Sequence, residues 1–180
     1  MIEKRTARML VRPLREDDRD EWVRVWEVSA ALWTPWNPRP GAGVTPVDLF
    51  TRALQNSEKG SCAKMVGVLE DGRIAGHFNL NEIVRGPFQN AYAGWAVNAE
   101  VAGQGYATEG VTALLELAFG AYGLHRVQAN ILPRNARSLR VAEKCGMRRE
   151  GLALRYLEIA GVWEDHVMYA KTAEECHQLP

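Results

Sequence analysis

The sequence predicts an α/β (α+β) sandwich with a mixed, mostly antiparallel sheet of roughly six to seven strands and about four flanking helices. Two observations support this prediction. Three strand-like segments separated by tight turns occupy residues 62–98, which favours an antiparallel meander. A glycine-rich turn, a helical segment and a further strand-like segment follow, which is typical of a right-handed β-α-β crossover.

The length and composition predict one domain spanning residues 1–180. The chain has 47% hydrophobic and 24% charged residues, as ordinary globular proteins do. Its 22 basic and 22 acidic side chains balance, which argues against a direct nucleic-acid partner. No apolar run approaches the ~20 residues of a membrane span, and the first residues lack the apolar stretch of a secretory signal. We therefore expect no membrane partner.

Cysteine and histidine usage predicts the compartment and argues against a metal. The three cysteines, Cys62, Cys145 and Cys176, are odd in number and widely spaced, so a disulfide framework is not expected and a reducing cytoplasm fits. The four histidines lack the spacing of metal ligands. The prediction is a cytoplasmic protein without a metal site.

The first third of the chain predicts one strand, two helices and a loop between the helices. Pro13 suits the end of an edge strand, and Asp17 or Asp18 can cap the helix that follows. Thr45 before Pro46 reads as the cap and first residue of the second helix. The predicted bounds are a strand at 7–13, a helix from 17 or 18 to 28, a loop at 33–43 and a helix at 46–57.

The rest of the chain predicts six strands and two helices. Asp71 and Gly72 form a strong hairpin signal between two strands. Val111, Leu114 and Ala118 lie on one stripe of a helix, since their spacing matches the helical period. The predicted strands are 62–70, 73–84, 90–98, 125–132, 148–159 and 162–170, and the predicted helices are 106–120 and 135–145.

The glycine-rich turn at residues 103–108 is the informative feature. The first N–H groups of a helix lack partners and carry partial positive charge, so a glycine-rich helix start is a ready site for a pyrophosphate. No lysine followed by serine or threonine occurs here, which excludes the phosphate loop of nucleotide hydrolases. Thr108 replaces the third glycine of a dinucleotide fingerprint. A glycine-rich helix start without a ligand is the plain alternative.

Seven segments in this order resemble the GNAT superfamily of N-acetyltransferases. Within it, the chain resembles the subgroup that acetylates the N-terminal alanine or serine of ribosomal proteins. Each segment alone is common, but their combination along nearly the whole chain is specific. The segments are residues 10–18, 94–97, 102–109, 135–138, 145–147, 150–151 and 163–167.

The resemblance implies a cofactor site for acetyl-CoA. In the family a bulge splays the strand that here is residues 90–98 from its parallel neighbour, and the pantetheine arm pairs with the open strand edge. Helix-start amides hold the pyrophosphate, and an N–H near Val97 stabilises the oxyanion. The implied cofactor-binding residues are Trp95, Ala96, Val97, Gly103, Gln104, Gly105, Tyr106, Ala107, Thr108, Asn135 and Ser138.

Two positions depart from the family pattern. Ala102 stands where the family usually has Gln or Arg at the start of its pyrophosphate loop, which predicts weakened cofactor binding. Ala142 stands where the family frequently has a general-acid tyrosine. Ser138 is the candidate replacement, because its position resembles that of the serine with this role in the ribosomal subgroup. Its alternative role is support of the helix cap.

The general base is predicted to be a carboxylate acting through water. Glu82 is the first candidate and Glu150 the second, although a solvated strand-end carboxylate is the simpler reading of Glu82. His166 is expected to be structural, since neighbouring Asp165 on the same strand points to the opposite face.

Further side chains are candidates for the cleft. Trp33 and Trp36, in the loop rich in proline and glycine, are expected to line the acceptor side. Arg137 and Arg140 are candidates for contact with cofactor phosphates, or else they are solvated.

The implied activity is transfer of acetyl from acetyl-CoA to a primary amine by direct attack in a ternary complex. The favoured acceptor is the N-terminal α-amine of a protein. A small-molecule amine is one alternative, and a non-catalytic acyl-CoA sensor is another from a different class. The sequence leaves the assembly state open, with a homodimer as one option.

Overall fold

An eight-stranded mixed sheet with helices on both faces forms the framework of the protein. The structure is a computed structural model, and it describes residues 2–176, so the extreme ends of the predicted domain lie outside the described residues. The strands are β1 (Lys4–Arg5), β2 (Met9–Pro13), β3 (Ala63–Leu69), β4 (Ile74–Val84), β5 (Asn90–Val97), β6 (Arg126–Ile131), β7 (Arg148–Ile159) and β8 (Val162–Thr172). Their order across the sheet is β1-β2-β3-β4-β5-β6-β8-β7.

Five α-helices accompany the sheet in the described residues. They are α1 (Arg19–Trp33), α2 (Pro46–Glu58), α3 (Tyr106–Phe119), α4 (Ala136–Lys144) and α5 (Ala173–Cys176). One core cluster lies between the sheet and α3 with α4, and a second lies on the opposite face under α1 and α2. No helix in residues 2–176 is long and apolar enough to cross a membrane. The fold class is as predicted.

Two details of the predicted architecture were wrong. The sheet has eight strands, because the two-residue β1 adds to its edge by pairing with β2. Helix α1 continues to Trp33, five residues beyond the predicted end. Its buried stripe contains Trp22, Val25, Ser29 and Trp33. The polar Ser29 interrupts the apolar pattern in the sequence, yet it is buried and its hydroxyl accepts the Ala99 amide at 3.0 Å.

The strand that was expected to carry a bulge is regular. Strand β5 pairs with β4 without interruption from Val97 to Tyr92, and the register shift lies between Asn81 and Val84 of β4 instead. Glu82 sits in that irregularity with φ of 49°. The expected splaying arises differently: β5 pairs with parallel β6 only over its first three residues, 90–92. Beyond them one edge of β5 has no strand neighbour within residues 2–176.

Helix α3 approaches the sheet unusually closely at Gly110. A Cβ atom added there would overlap the ring of Phe78, which is fully buried on β4. The missing side chain therefore sets how near the helix start comes to the strand edge.

Gly110→Ala should destabilise the protein by roughly 1–3 kcal/mol, because overpacking outweighs the better helix propensity of alanine. Urea unfolding measures this change. Gly151→Ala is the matched control, since a Cβ at Gly151 meets nothing within 4 Å. Equal stability of both variants would contradict the close packing of α3 on β4.

His77 makes the stability of the second core cluster dependent on pH. Its ring lies 5.3 Å from the rings of Trp22 and Trp33, and its Nε2 atom is buried without a hydrogen-bond partner. Burial lowers the pKa of His77 to about 4, and the charge of Lys64 adds to this effect. Between pH 6.5 and about pH 4, the ring is therefore mainly protonated in the unfolded chain but neutral in the folded protein.

The contribution of neutral His77 to stability is fully present above the ordinary histidine pKa of about 6.5 and is lost as the pH falls towards 4. We expect the free energy of unfolding to fall by roughly 2 kcal/mol from this group by about pH 5. His77→Gln should remove that part of the pH dependence in urea titrations. His125→Gln, at an exposed histidine, should retain it.

Candidate active site

A cavity of about 470 Å³ opens where β5 and β6 diverge. The first turn of α3, the helix α4 and the end of α1 complete its walls. Ten of the predicted cofactor residues line it: Trp95, Ala96, Val97, Gly103, Gly105, Tyr106, Ala107, Thr108, Asn135 and Ser138. Gln104 is not among the lining residues, since its carbonyl turns away to accept Arg8 Nη1 at 2.9 Å. The contacts of these residues with a ligand remain a prediction.

The free edge of β5 offers backbone groups to the cavity. The hydrogen bonds of an antiparallel strand alternate between its two sides. Because the Asn98 amide donates to Ala75 at 2.9 Å, the Ala96 amide also points to β4, whereas the amides of Trp95 and Val97 point away from it. In the part of the chain that the structure describes, no strand pairs with that edge beyond residue 92. These two amides therefore face the cavity.

The first turn of α3 presents a second set of free amides. Its N-cap is Gly105, which has φ of 90° and no side chain to cap the helix. The amides of Tyr106, Ala107 and Thr108 therefore lack both intrahelical partners and a side-chain cap. With the positive end of the helix dipole, they form an anion site at the cavity wall.

Basic side chains of α4 add to the positive potential. Arg137, Arg140 and Lys144 line the cavity and lie on one helix face, because they are three and four residues apart. None of them forms an ion pair with a described residue. The lining drawn from residues 2–176 contains no Asp or Glu. The cavity therefore favours a polyanion.

Arg8 shapes the glycine-rich turn, and the sequence analysis missed it. Its guanidinium donates to the Gln104 carbonyl at 2.9 Å and to Glu109 at 2.8 Å, and it lies 4.1 Å from the centre of the Tyr106 ring. Thr6 also donates to Glu109, at 2.5 Å. Arg8 thus ties the turn to the N-terminal segment. No local motif could have revealed a contact between residues so distant in sequence.

The opposite side of the cavity is formed by aromatic and polar groups. Trp33 and Trp36 line it, as predicted, and Trp33 Nε1 donates to the Val97 carbonyl at 2.9 Å. Arg134 holds the neighbouring loop: its guanidinium lies 5.1 Å from the centre of the Trp36 ring and donates to the Pro35 carbonyl at 3.2 Å. His166, which was expected to be structural, also lines this side.

The carboxylates proposed as general bases lie outside the cavity lining. Glu82 is exposed. Glu150 is bound by Arg126 at 3.0 Å and by Arg148 at 2.9 Å. The hydrogen bond from Arg126 is the main cause of the lowered pKa of Glu150, which makes this carboxylate a weaker base. Their roles as bases stay predictions without support from the cavity.

Ser138 lies in the lining with its hydroxyl free. The Asn135 side chain caps α4 by accepting the backbone amide of Ser138 at 3.2 Å. The Ser138 hydroxyl takes no part in that cap and has no partner among the described residues. The cap therefore uses the backbone amide of Ser138, and the hydroxyl that was predicted to act as an acid stays free.

The uncapped helix start beside an open strand edge defines the class that the motifs predicted, the acyltransferases that bind a coenzyme A thioester. Comparison with known proteins takes this further. The model of the family described as "Acetyltransferase (GNAT) domain" matches residues 8–148. The chain belongs to the GNAT family of N-acetyltransferases. Membership makes acetyl-CoA its co-substrate.

Individual relatives agree with the predicted subgroup. The ribosomal protein uS5-alanine N-acetyltransferase of Escherichia coli strain K12 is 30% identical over 94% of this chain and 90% of that protein. The structure of Mycobacterium smegmatis RimJ in complex with CoA-disulfide superposes with a TM-score of 0.87 at 30% identity, covering 94% of this chain and 84% of that one. Probable N-acetyltransferase YjcK of Bacillus subtilis strain 168 is 41% identical, but the match covers 56% of this chain and only 55% of YjcK.

Gly105→Glu should abolish binding of acetyl-CoA in calorimetric titrations. The new side chain brings bulk and negative charge to the helix start, and Gly105 has a backbone conformation that strains other residues. Gly60→Glu is the matched control, since Gly60 also has positive φ, at 73°, but lies outside the cavity. Unchanged affinity in a folded Gly105→Glu protein would contradict the anion site.

Proposed function

We propose that the protein acetylates the N-terminal α-amine of a protein, by direct attack of the amine on acetyl-CoA in a ternary complex. The arrangement of free amides at α3 and along β5 beside a basic helix face carries the proposal, because it suits the diphosphate and the pantetheine arm of coenzyme A. The named activity of the Escherichia coli relative supports a protein N-terminus as acceptor.

The proposed site residues divide between the two ends of coenzyme A. Amides at 103–108 bind the diphosphate, and the edge at Trp95 binds the pantetheine arm. The acceptor enters between Trp33, Trp36 and the polar ends of β6 and β8. The Val97 amide donates to the oxyanion that forms when the amine attacks the thioester carbonyl. Catalysis then depends mainly on positioning and on this electrostatic stabilisation.

A cytoplasmic site of action is part of the proposal. The balanced net charge and the absence of long apolar helices in residues 2–176 are compatible with it, as is the lack of any disulfide among the three cysteines. The partners proposed are acetyl-CoA and the acceptor protein, with a homodimer as an open option.

Release of free thiol from acetyl-CoA tests the proposal directly. The acceptors are peptides that begin with alanine or serine, the same peptides with a blocked N-terminus, and a set of polyamines and amino acids. The proposal predicts turnover with free N-termini only. Turnover with small amines alone would transfer the assignment to a small-molecule acetyltransferase. Tight cofactor binding without any turnover would identify a sensor.

Ser138→Ala should lower kcat by roughly 10²-fold while leaving the affinity for acetyl-CoA nearly unchanged. The hydroxyl is the proposed donor of the proton to the leaving thiolate, whereas the capping bond uses the backbone amide, which alanine retains. Steady-state kinetics and calorimetry measure the two quantities. A wild-type kcat would assign the proton to solvent and exclude the acid role.

A further inference from the structure

We propose that His166 is the general base, with its Nε2 atom taking the proton from the acceptor ammonium; this rests on the proposed function. His166 lies on β8, whose neighbouring residue Val167 faces the core beneath α3 and α4. Since side chains alternate along a strand, His166 faces the opposite side, where Trp33 and Trp36 line the cavity. The ring is thus on the proposed acceptor side.

A single hydrogen bond fixes the tautomer of the ring. His166 Nδ1 lies 3.0 Å from the backbone carbonyl oxygen of Glu164, which can only accept. The proton of the neutral ring is therefore on Nδ1, and Nε2 carries a lone pair. Among the described residues, the hydrogen bond of the His166 ring is the one at Nδ1, so Nε2 is left without a partner. The residue as a whole is 3% exposed, so the surrounding packing restricts the orientation of this lone pair.

Neighbouring residues hold the ring in place. The Tyr156 ring centre lies 5.4 Å from that of His166, and the Tyr156 hydroxyl accepts Asn130 Nδ2 at 2.7 Å. The Glu164 carboxylate is bound by Arg134 at 2.6 Å, which anchors the residue whose carbonyl accepts the Nδ1 proton. The base is thus supported by residues from β6, β7 and β8.

The charges that face His166 are few. On β8 the Glu164 carboxylate is neutralised by Arg134. On β7 the facing titratable group is Tyr156. Burial raises the pKa of Tyr156, and Tyr92 and Glu82 contribute to that rise. Asn130 on β6 is uncharged. An imidazolium formed during the reaction therefore meets no unpaired cation among these groups.

The competing bases are less suitable. Among the lining residues described, His166 alone carries an imidazole, the side chain that most often serves as a general base. Glu82 lies outside the cavity lining. Its link to His166 is indirect, since its charge contributes to the raised pKa of Tyr156. The lining residues Lys144, Arg137 and Arg140 are hydrogen-bond donors without an acceptor atom in the side chain.

The reaction balances with one base. The ammonium N–H bond breaks and its proton moves to Nε2, which leaves a neutral amine and an imidazolium. The amine nitrogen forms a bond to the thioester carbon, and the C–S bond then breaks. The thiolate takes one proton from Ser138, which regains one from solvent, and the product nitrogen loses its second proton to solvent. The imidazolium finally returns its proton to solvent.

His166→Asn is the informative variant, because its amide nitrogen can still donate to the Glu164 carbonyl but no basic lone pair remains. With the acceptor peptide that wild type uses, we expect kcat/KM near neutral pH to fall by roughly 10²-fold or more. The deficit should shrink above about pH 9, where solvent already deprotonates an α-amine whose pKa is about 8. A role confined to packing would lower the rate equally at all pH values.

Two further variants complete the experiment. His125→Asn removes an exposed histidine outside the cavity and should keep the wild-type profile. A wild-type profile in folded His166→Asn would overturn the proposal, and a low-pH deficit that appears only in Glu82→Gln would overturn it in favour of Glu82. Nitrogen-15 NMR should show a protonated Nδ1 and an unprotonated Nε2 in the free protein; the reverse tautomer would also overturn it. Wild type without turnover on any acceptor would instead contradict the proposed function, and this inference with it.

Discussion

The constraint that organises the protein is the supply of unpaired backbone amides at one point of the sheet. Buried amides are normally satisfied by neighbouring strands or by helix caps. Here β6 stops pairing with β5 after residue 92, and Gly105 leaves α3 without a side-chain cap. Both sets of amides open onto one cavity. In the proposed function, the pantetheine arm and the diphosphate of coenzyme A satisfy these two sets together.

The rest of the structure fixes the positions of these two sets of amides relative to each other. The contact of Gly110 with Phe78 brings α3 close to β4, and Arg8 fixes the turn that precedes the helix. On the other face, Trp33 binds the carbonyl of Val97 and so joins α1 to the same strand edge. The cofactor side and the acceptor side therefore meet at β5.

Much of this arrangement could be predicted from the sequence, because it depends on local patterns. Strand alternation, hairpin turns and the glycine-rich helix start are encoded within a few residues. The source of the splaying could not be predicted, since the end of pairing between β5 and β6 depends on two distant strands. Arg8 was missed for the same reason, because its partners Gln104 and Glu109 lie far along the chain. The length of α1 was underestimated because the polar Ser29 interrupts the apolar pattern. Its hydroxyl can be buried because it accepts the amide of Ala99, which is distant in sequence.

A crystal structure of the protein with coenzyme A tests the central claim most directly. We expect diphosphate oxygens within about 2.7–3.2 Å of the amides at residues 106–108, with the pantetheine arm running along the open edge of β5. Coenzyme A bound elsewhere on the surface, with water or protein side chains occupying those amides, would contradict it.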